Sequence, residues 1–152
     1  MGTLYDRDIR EPLFDFLEST FGKIRILEEK TTGGARADVV MITPQLLYGI
    51  EIKSDADTYT RLNNQVKYYN CFFDRNIIVT GSSHAAHIKE HVPDWWGVIT
   101  VELDENGEVD FYIMRKPTAL TASKSALPAS FLSSKSLPLT VIPPKPSLVC
   151  AL

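Results

Sequence analysis

The sequence predicts a mixed α/β domain, a central sheet with helices packed on it. Three observations carry that expectation. Segments with apolar residues at helical spacing alternate with short β-branched and aromatic runs, in the order helix, three strands, helix, strand, helix, two strands. The 152 residues are the size of one ordinary domain, long enough to bury roughly two-thirds of the surface that the unfolded chain would expose. The 44% hydrophobic and 23% charged fractions are those of a globular body, which excludes a disordered or membrane-embedded one.

Residues 6–21 (DRDIREPLFDFLESTF) place Ile9, Leu13, Phe14, Leu17 and Phe21 on one helical face. Pro12 fits best in a first turn, so the regular helix is expected to begin near Glu11, and Gly22 suits its exit. Residues 23–30 read as a strand, the Thr-Thr-Gly-Gly that follows as a turn, and 36–42 (RADVVMI) and 46–53 (LLYGIEIK) as two more strands. Strands so closely spaced form an antiparallel meander. Residues 57–73 are expected to be helical, with Leu62, Val66, Tyr69 and Phe73 as the apolar stripe. Residues 76–80 (NIIVT) have the composition of a strand buried on both faces. A short helix runs from Gly81-Ser82-Ser83 to His91 before Pro93, and 96–103 and 108–114 pair as a hairpin about Asn106-Gly107.

Residues 117–152 read differently. Pro, Ser, Lys and Leu are mixed without a sustained period and without an acidic group. We expect a domain over 1–116 and a poorly ordered Pro/Ser/Lys-rich tail over 117–152. All 19 acidic residues precede the tail, so residues 1–114 carry 19 acidic against 11 basic groups, a net of −8. Such a body does not bind nucleic acid indiscriminately; a nucleic-acid substrate would be held locally, by metal ions and a few placed cations. The chain starts with nothing like a signal peptide and has no apolar run long enough to span a bilayer, so a cytoplasmic protein without a membrane partner is expected. Cys71 and Cys150 form no CxxC pair, so neither a zinc ribbon nor a disulfide framework is indicated, and a reducing compartment fits.

The chemistry concentrates on two strands. One carries Asp38, the next Glu51-Ile52-Lys53. Side chains alternate along a strand, so Glu51 and Lys53 share a face. If the hairpin closes as read, Asp38 lies beside Glu51. Close carboxylates repel, and a divalent cation relieves the repulsion. Read alone, the Glu51–Lys53 pair is more often a solvated strand face than a site.

The spacing of Asp38, Glu51, Ile52 and Lys53 resembles the signature of the PD-(D/E)xK nuclease superfamily. The helix that follows carries Gln65-Val66-Lys67-Tyr68-Tyr69, which resembles the Q-h-x-x-Y motif of the RecB-like and lambda-exonuclease-like branch. Over residues 6–114 the chain also resembles a small bacterial and phage family assigned to that superfamily. The resemblance implies a restriction-endonuclease-like fold, a mixed central sheet flanked by helices. It implies metal binding by Asp38, Glu51 and the main-chain carbonyl of Ile52, with Lys53 as the catalytic lysine. Gln65 and Tyr69 would orient the site or contact the DNA backbone. An additional acidic residue is often supplied; Glu11, Glu18, Glu28 and Glu29 are the candidates.

The expected function is hydrolysis of DNA phosphodiester bonds with Mg²⁺ or Mn²⁺, as an exonuclease or end-processing enzyme in repair, recombination or phage replication. The alternative is a nuclease fold that has lost activity and serves as a DNA- or protein-binding adaptor. Arg61, four residues before Gln65, could contact phosphate or pair with Asp57. His84, His87 and His91 share a helix face that a metal could use, though packing is the commoner role. Trp95 and Trp96 are expected in core and rim packing rather than base stacking.

Overall fold

A computed structural model describes residues 2–32 and 35–119, with the side chains of 29–32 and 35 outside that description. Three helices, α1 (Asp6–Phe21), α2 (Leu62–Phe72) and α3 (Ala85–His91), accompany six strands: β1 (Arg25–Thr32), β2 (Ala35–Ile42), β3 (Leu47–Lys53), β4 (Arg75–Gly81), β5 (Gly97–Leu103) and β6 (Val109–Arg115). The strands lie in chain order in one sheet. β1, β2 and β3 form the expected antiparallel meander, β3, β4 and β5 run parallel, and β6 closes the far edge antiparallel to β5. The fold is therefore mixed α/β, as the element order predicts. The tail expected over 117–152 lies outside the described residues from position 120 onward.

Each parallel connection passes through one helix, which is why α2 and α3 share a face of the sheet. On that face Leu62, Tyr69, Phe73, Ile88, Val92 and Trp96 pack over Val40, Ile42, Ile78 and Val98. The opposite face is covered by α1, whose Ile9, Leu13 and Leu17 meet Val39, Met41, Ile50, Ile52, Ile77, Val79 and Ile99. β4 is buried on both sides except at Arg75, as its apolar sequence requires.

Two helix boundaries differ from the expectation. α1 begins at Asp6 and carries Pro12 within it. Its first turn is fixed by Asp8, whose carboxylate accepts the Tyr5 N–H (3.1 Å), and by the Arg10–Asp6 pair (2.7 Å), so a helix start further along is unnecessary. α2 begins at Leu62 rather than near 57, because the Asp57 carboxylate is turned back onto the main-chain N–H and hydroxyl of Ser54 (both 2.8 Å), which holds the preceding residues as a turn.

Trp96 is fully buried, and its indole N–H (2.8 Å) and that of Trp95 (3.0 Å) both donate to Asn70 Oδ1, so the tandem tryptophans are packing residues. The rings of His84 and His91 lie against Tyr59, the second stacked at 4.3 Å between centroids, while the His87 side chain is exposed.

Candidate functional site

The site forms where the meander opens. Pairing between β1 and β2 continues out to Thr32↔Ala35, but pairing between β2 and β3 stops at Val39↔Ile50. Asp38 stands at this fork. Its carboxylate takes over the interrupted ladder, Oδ2 accepting the N–H of Ile52 at 3.0 Å. Across the fork, Gly49, Glu51 and Lys53 alternate onto the face covered by α2.

Glu51 is almost wholly buried, at 2% exposure, and both of its oxygens have donors. Oε1 accepts from Gln65 Nε2 at 2.6 Å and lies 3.3 Å from Lys53 Nζ. Oε2 accepts from the Tyr69 hydroxyl at 2.6 Å. That hydroxyl also lies 3.2 Å from the Ile50 carbonyl and accepts the N–H of Asp38 at 3.3 Å, so a single tyrosine ties both carboxylate strands together. Gln65 and Tyr69 are four apart on α2 and meet the same carboxylate.

A glycine permits this approach. A Cβ at Gly49 would collide with the rings of Phe73 and Tyr69. Without one, α2 settles close enough for the Tyr69 hydroxyl to reach Glu51.

The electrostatics are those of a strained acid pair. Burial pushes the Glu51 carboxyl up to about 7, helped by the charge of Asp38 and opposed by Tyr69 and Lys53. Burial also raises Asp38, against the pull of the Ile52 N–H. The two carboxyls are close enough to share a hydrogen bond. The Tyr69 hydroxyl is held well above its ordinary range by burial and then by the Glu51 charge, so it stays protonated as a donor.

The structure thus brings Asp38, Glu51, Lys53, Gln65 and Tyr69 together, with Ile52 joining through its main-chain N–H. Arg61 sits exposed at the N-cap of α2, and Asp57 is occupied with Ser54 rather than with it. Of the additional acids considered, Glu11 and Glu18 are exposed on α1, and the side chain of Glu29 lies outside the described residues. Glu28 pairs at 3.8 Å with Arg10 Nη1, which itself donates to the Asp38 carbonyl at 3.3 Å. Sequence reasoning missed Arg10 and Asp6. Both are felt electrostatically by Asp38, and their spacing of four on α1 was the available signal.

The donor set suits a hard divalent cation. Asp38 and Glu51 bring carboxylate oxygens from neighbouring strands. Among the described residues no group of three or more His, Cys, Asp and Glu converges, but Mg²⁺ typically takes only one or two protein carboxylates and completes its shell with water and phosphate oxygens.

Fold and site together define a mixed α/β protein built around a buried carboxylate–lysine centre. The family model described as Bacteriophage P4 protein cII matches residues 3–141, and the chain belongs to that family. The match points to a phage protein, in keeping with the phage character that the sequence resemblance implied. No curated protein and no solved structure matches the chain. No helix among the described residues is long and apolar enough to cross a membrane.

Proposed function

We propose that this chain is a divalent-metal-dependent phosphodiesterase of the PD-(D/E)xK type that acts on DNA ends. The observation that supports it best is Glu51: a carboxylate 2% exposed, next to a second carboxyl and a lysine, oriented by Gln65 and Tyr69. Burying two acids in contact is costly unless a cation or a proton compensates. Asp38 and Glu51, with the Ile52 main chain beside them, would hold Mg²⁺ or Mn²⁺. The bound cation would lower the pKa of a coordinated water and polarise the phosphoryl group.

The chain's own residues supply the rest. Lys53 has N–H groups beyond the one directed at Glu51; they can hold the attacking water or donate to the phosphoryl oxygens as charge develops there. Tyr69 and Gln65 fix the rotamer of Glu51, so no reorganisation is needed when substrate arrives. Arg61, exposed one turn before Gln65, would meet a backbone phosphate.

A second reading, an inactive nuclease fold acting as an adaptor, draws on one feature: both Glu51 oxygens already have protein donors. The test is cleavage of linear, circular, single-stranded and branched DNA with and without Mg²⁺ or Mn²⁺, alongside Asp38→Asn and Lys53→Ala. Asn at 38 keeps an acceptor for the Ile52 N–H, so a loss of activity there reports the missing charge. Metal-dependent cleavage abolished in both variants supports the enzyme. Cleavage that needs no metal or survives both substitutions removes it, and DNA binding without cleavage favours the adaptor.

A further inference from the structure

Among the described residues, three buried side-chain atoms have no hydrogen-bond partner: Tyr59 Oη, Gln65 Oε1 and Thr80 Oγ1. Two of them, on Gln65 and Thr80, border the carboxylate–lysine centre. Gln65 holds Glu51 through its amide nitrogen. Thr80 is the register partner of Lys53 across the parallel β3–β4 ladder, so the two side chains leave the same face of the sheet about 5 Å apart. Tyr59 lies in the loop that leads from Lys53 to α2, where its carbonyl accepts the N–H of Leu62. Its ring is wedged against His84 and His91. Thr80 is fully buried, and folded proteins rarely leave one such atom unpaired, let alone two beside one site.

The chemistry of the set is specific. The Thr80 hydroxyl can donate and accept, the Gln65 amide oxygen accepts, and the Lys53 ammonium donates. An anion would want donors only, and a cation acceptors only. Water uses both, and a buried water needs two to four polar partners. We propose that Thr80 and Gln65 hold a short file of ordered water that ends at Lys53, with Thr80 as the residue that positions the hydrolytic water beside the lysine. The water file stands on these atoms alone; its hydrolytic use rests on the nuclease reading above.

Thr80→Val keeps the shape and removes the hydroxyl; Thr80→Ser keeps the hydroxyl. High-resolution crystal structures of the wild type and Thr80→Val, thermal unfolding and steady-state cleavage kinetics decide the matter together. Expected are ordered waters within hydrogen-bonding distance of Thr80 Oγ1 and Gln65 Oε1 in the wild type, and loss of the first in Thr80→Val. The Val variant should show no gain in Tm and a kcat reduced about tenfold or more with KM little changed, and Thr80→Ser should restore most of the rate. A dry wild-type site overturns the file. A Val variant with raised Tm and unchanged kcat overturns the role of Thr80, because a hydroxyl that was merely unpaired is better replaced by a methyl. Ordered waters in a wild type that cleaves no DNA would end the nuclease reading and the hydrolytic role with it, while the file itself stands. An active wild type with a dry site would end the file and the role of Thr80, while the nuclease reading stands.

Discussion

Replacing Glu51 by Gln should change how the stability of the metal-free protein depends on pH. The Glu51 carboxyl, ordinarily near 4.5, is raised by burial and by Asp38 to about 7. A carboxyl raised on folding favours the folded state fully below its unfolded value. That contribution is lost as pH climbs through the folded value. Relative to Glu51→Gln, the wild type should therefore lose at most about 3 kcal/mol of unfolding free energy between about pH 4.5 and about pH 7.5, and little more above that. Subtracting the variant removes titrations common to both chains. It does not remove Asp38, whose carboxyl is raised chiefly by burial and works in the same direction. Urea unfolding in EDTA, followed by tryptophan fluorescence from the buried Trp96, measures the difference directly. Adding Mg²⁺ above neutral pH should recover much of the loss in the wild type and little in the variant. Parallel profiles for the two proteins, or a wild type that gains on the variant as pH rises, would refute the strained acid pair.

Other outcomes follow from the same contacts. Tyr69→Phe removes the donor to Glu51 Oε2 and the acceptor for the Asp38 N–H; it should cost about 1–3 kcal/mol in urea unfolding and move the acidic limb of any cleavage profile to higher pH, since Glu51 loses a contact that stabilises its charge. Gly49→Ala drives a methyl into the Phe73 and Tyr69 rings and should destabilise by about 1–3 kcal/mol while weakening metal binding, measured by calorimetry, because α2 must retreat from Glu51. Asn70→Leu strips the acceptor from the buried Trp96 indole; a cost of about 1–3 kcal/mol and a shift in tryptophan emission are expected, with DNA cleavage retained where the protein remains folded.

The pattern of LLYGIEIK was readable because a strand has one unambiguous period: Glu51 and Lys53 had to share a face, and the intervening Ile50 and Ile52 had to face the other core. Gln65 and Tyr69 were readable for the same kind of reason, four residues on one helix. What a period cannot convey is distance between elements. Nothing in the strand's period marks Gly49 as the point where the Phe73 and Tyr69 rings of the following segment lie closest. Nor does a helical period show that two indoles from 25 and 26 residues away converge on the Asn70 oxygen. Asp57 and Arg61 looked like a helical pair, but a carboxylate so near a turn finds main-chain N–H groups first, and the helix started later.

Arg10 joins these cases to the site. Its guanidinium links Asp6, Glu28 and the Asp38 carbonyl, so α1, β1 and β2 are clamped where β2 parts from β3. Were Asp38 held only by its Ile52 contact, the fork could close by sliding β2 back onto β3. A register slip of one residue would turn Asp38 away from Glu51. With Arg10 fixing the outer side of β2 and Tyr69 reaching its N–H from α2, the strand is gripped from both faces of the sheet. The two carboxyls then stay together in spite of their repulsion, which is the geometry that a cation-binding pair requires and that neither strand would adopt alone.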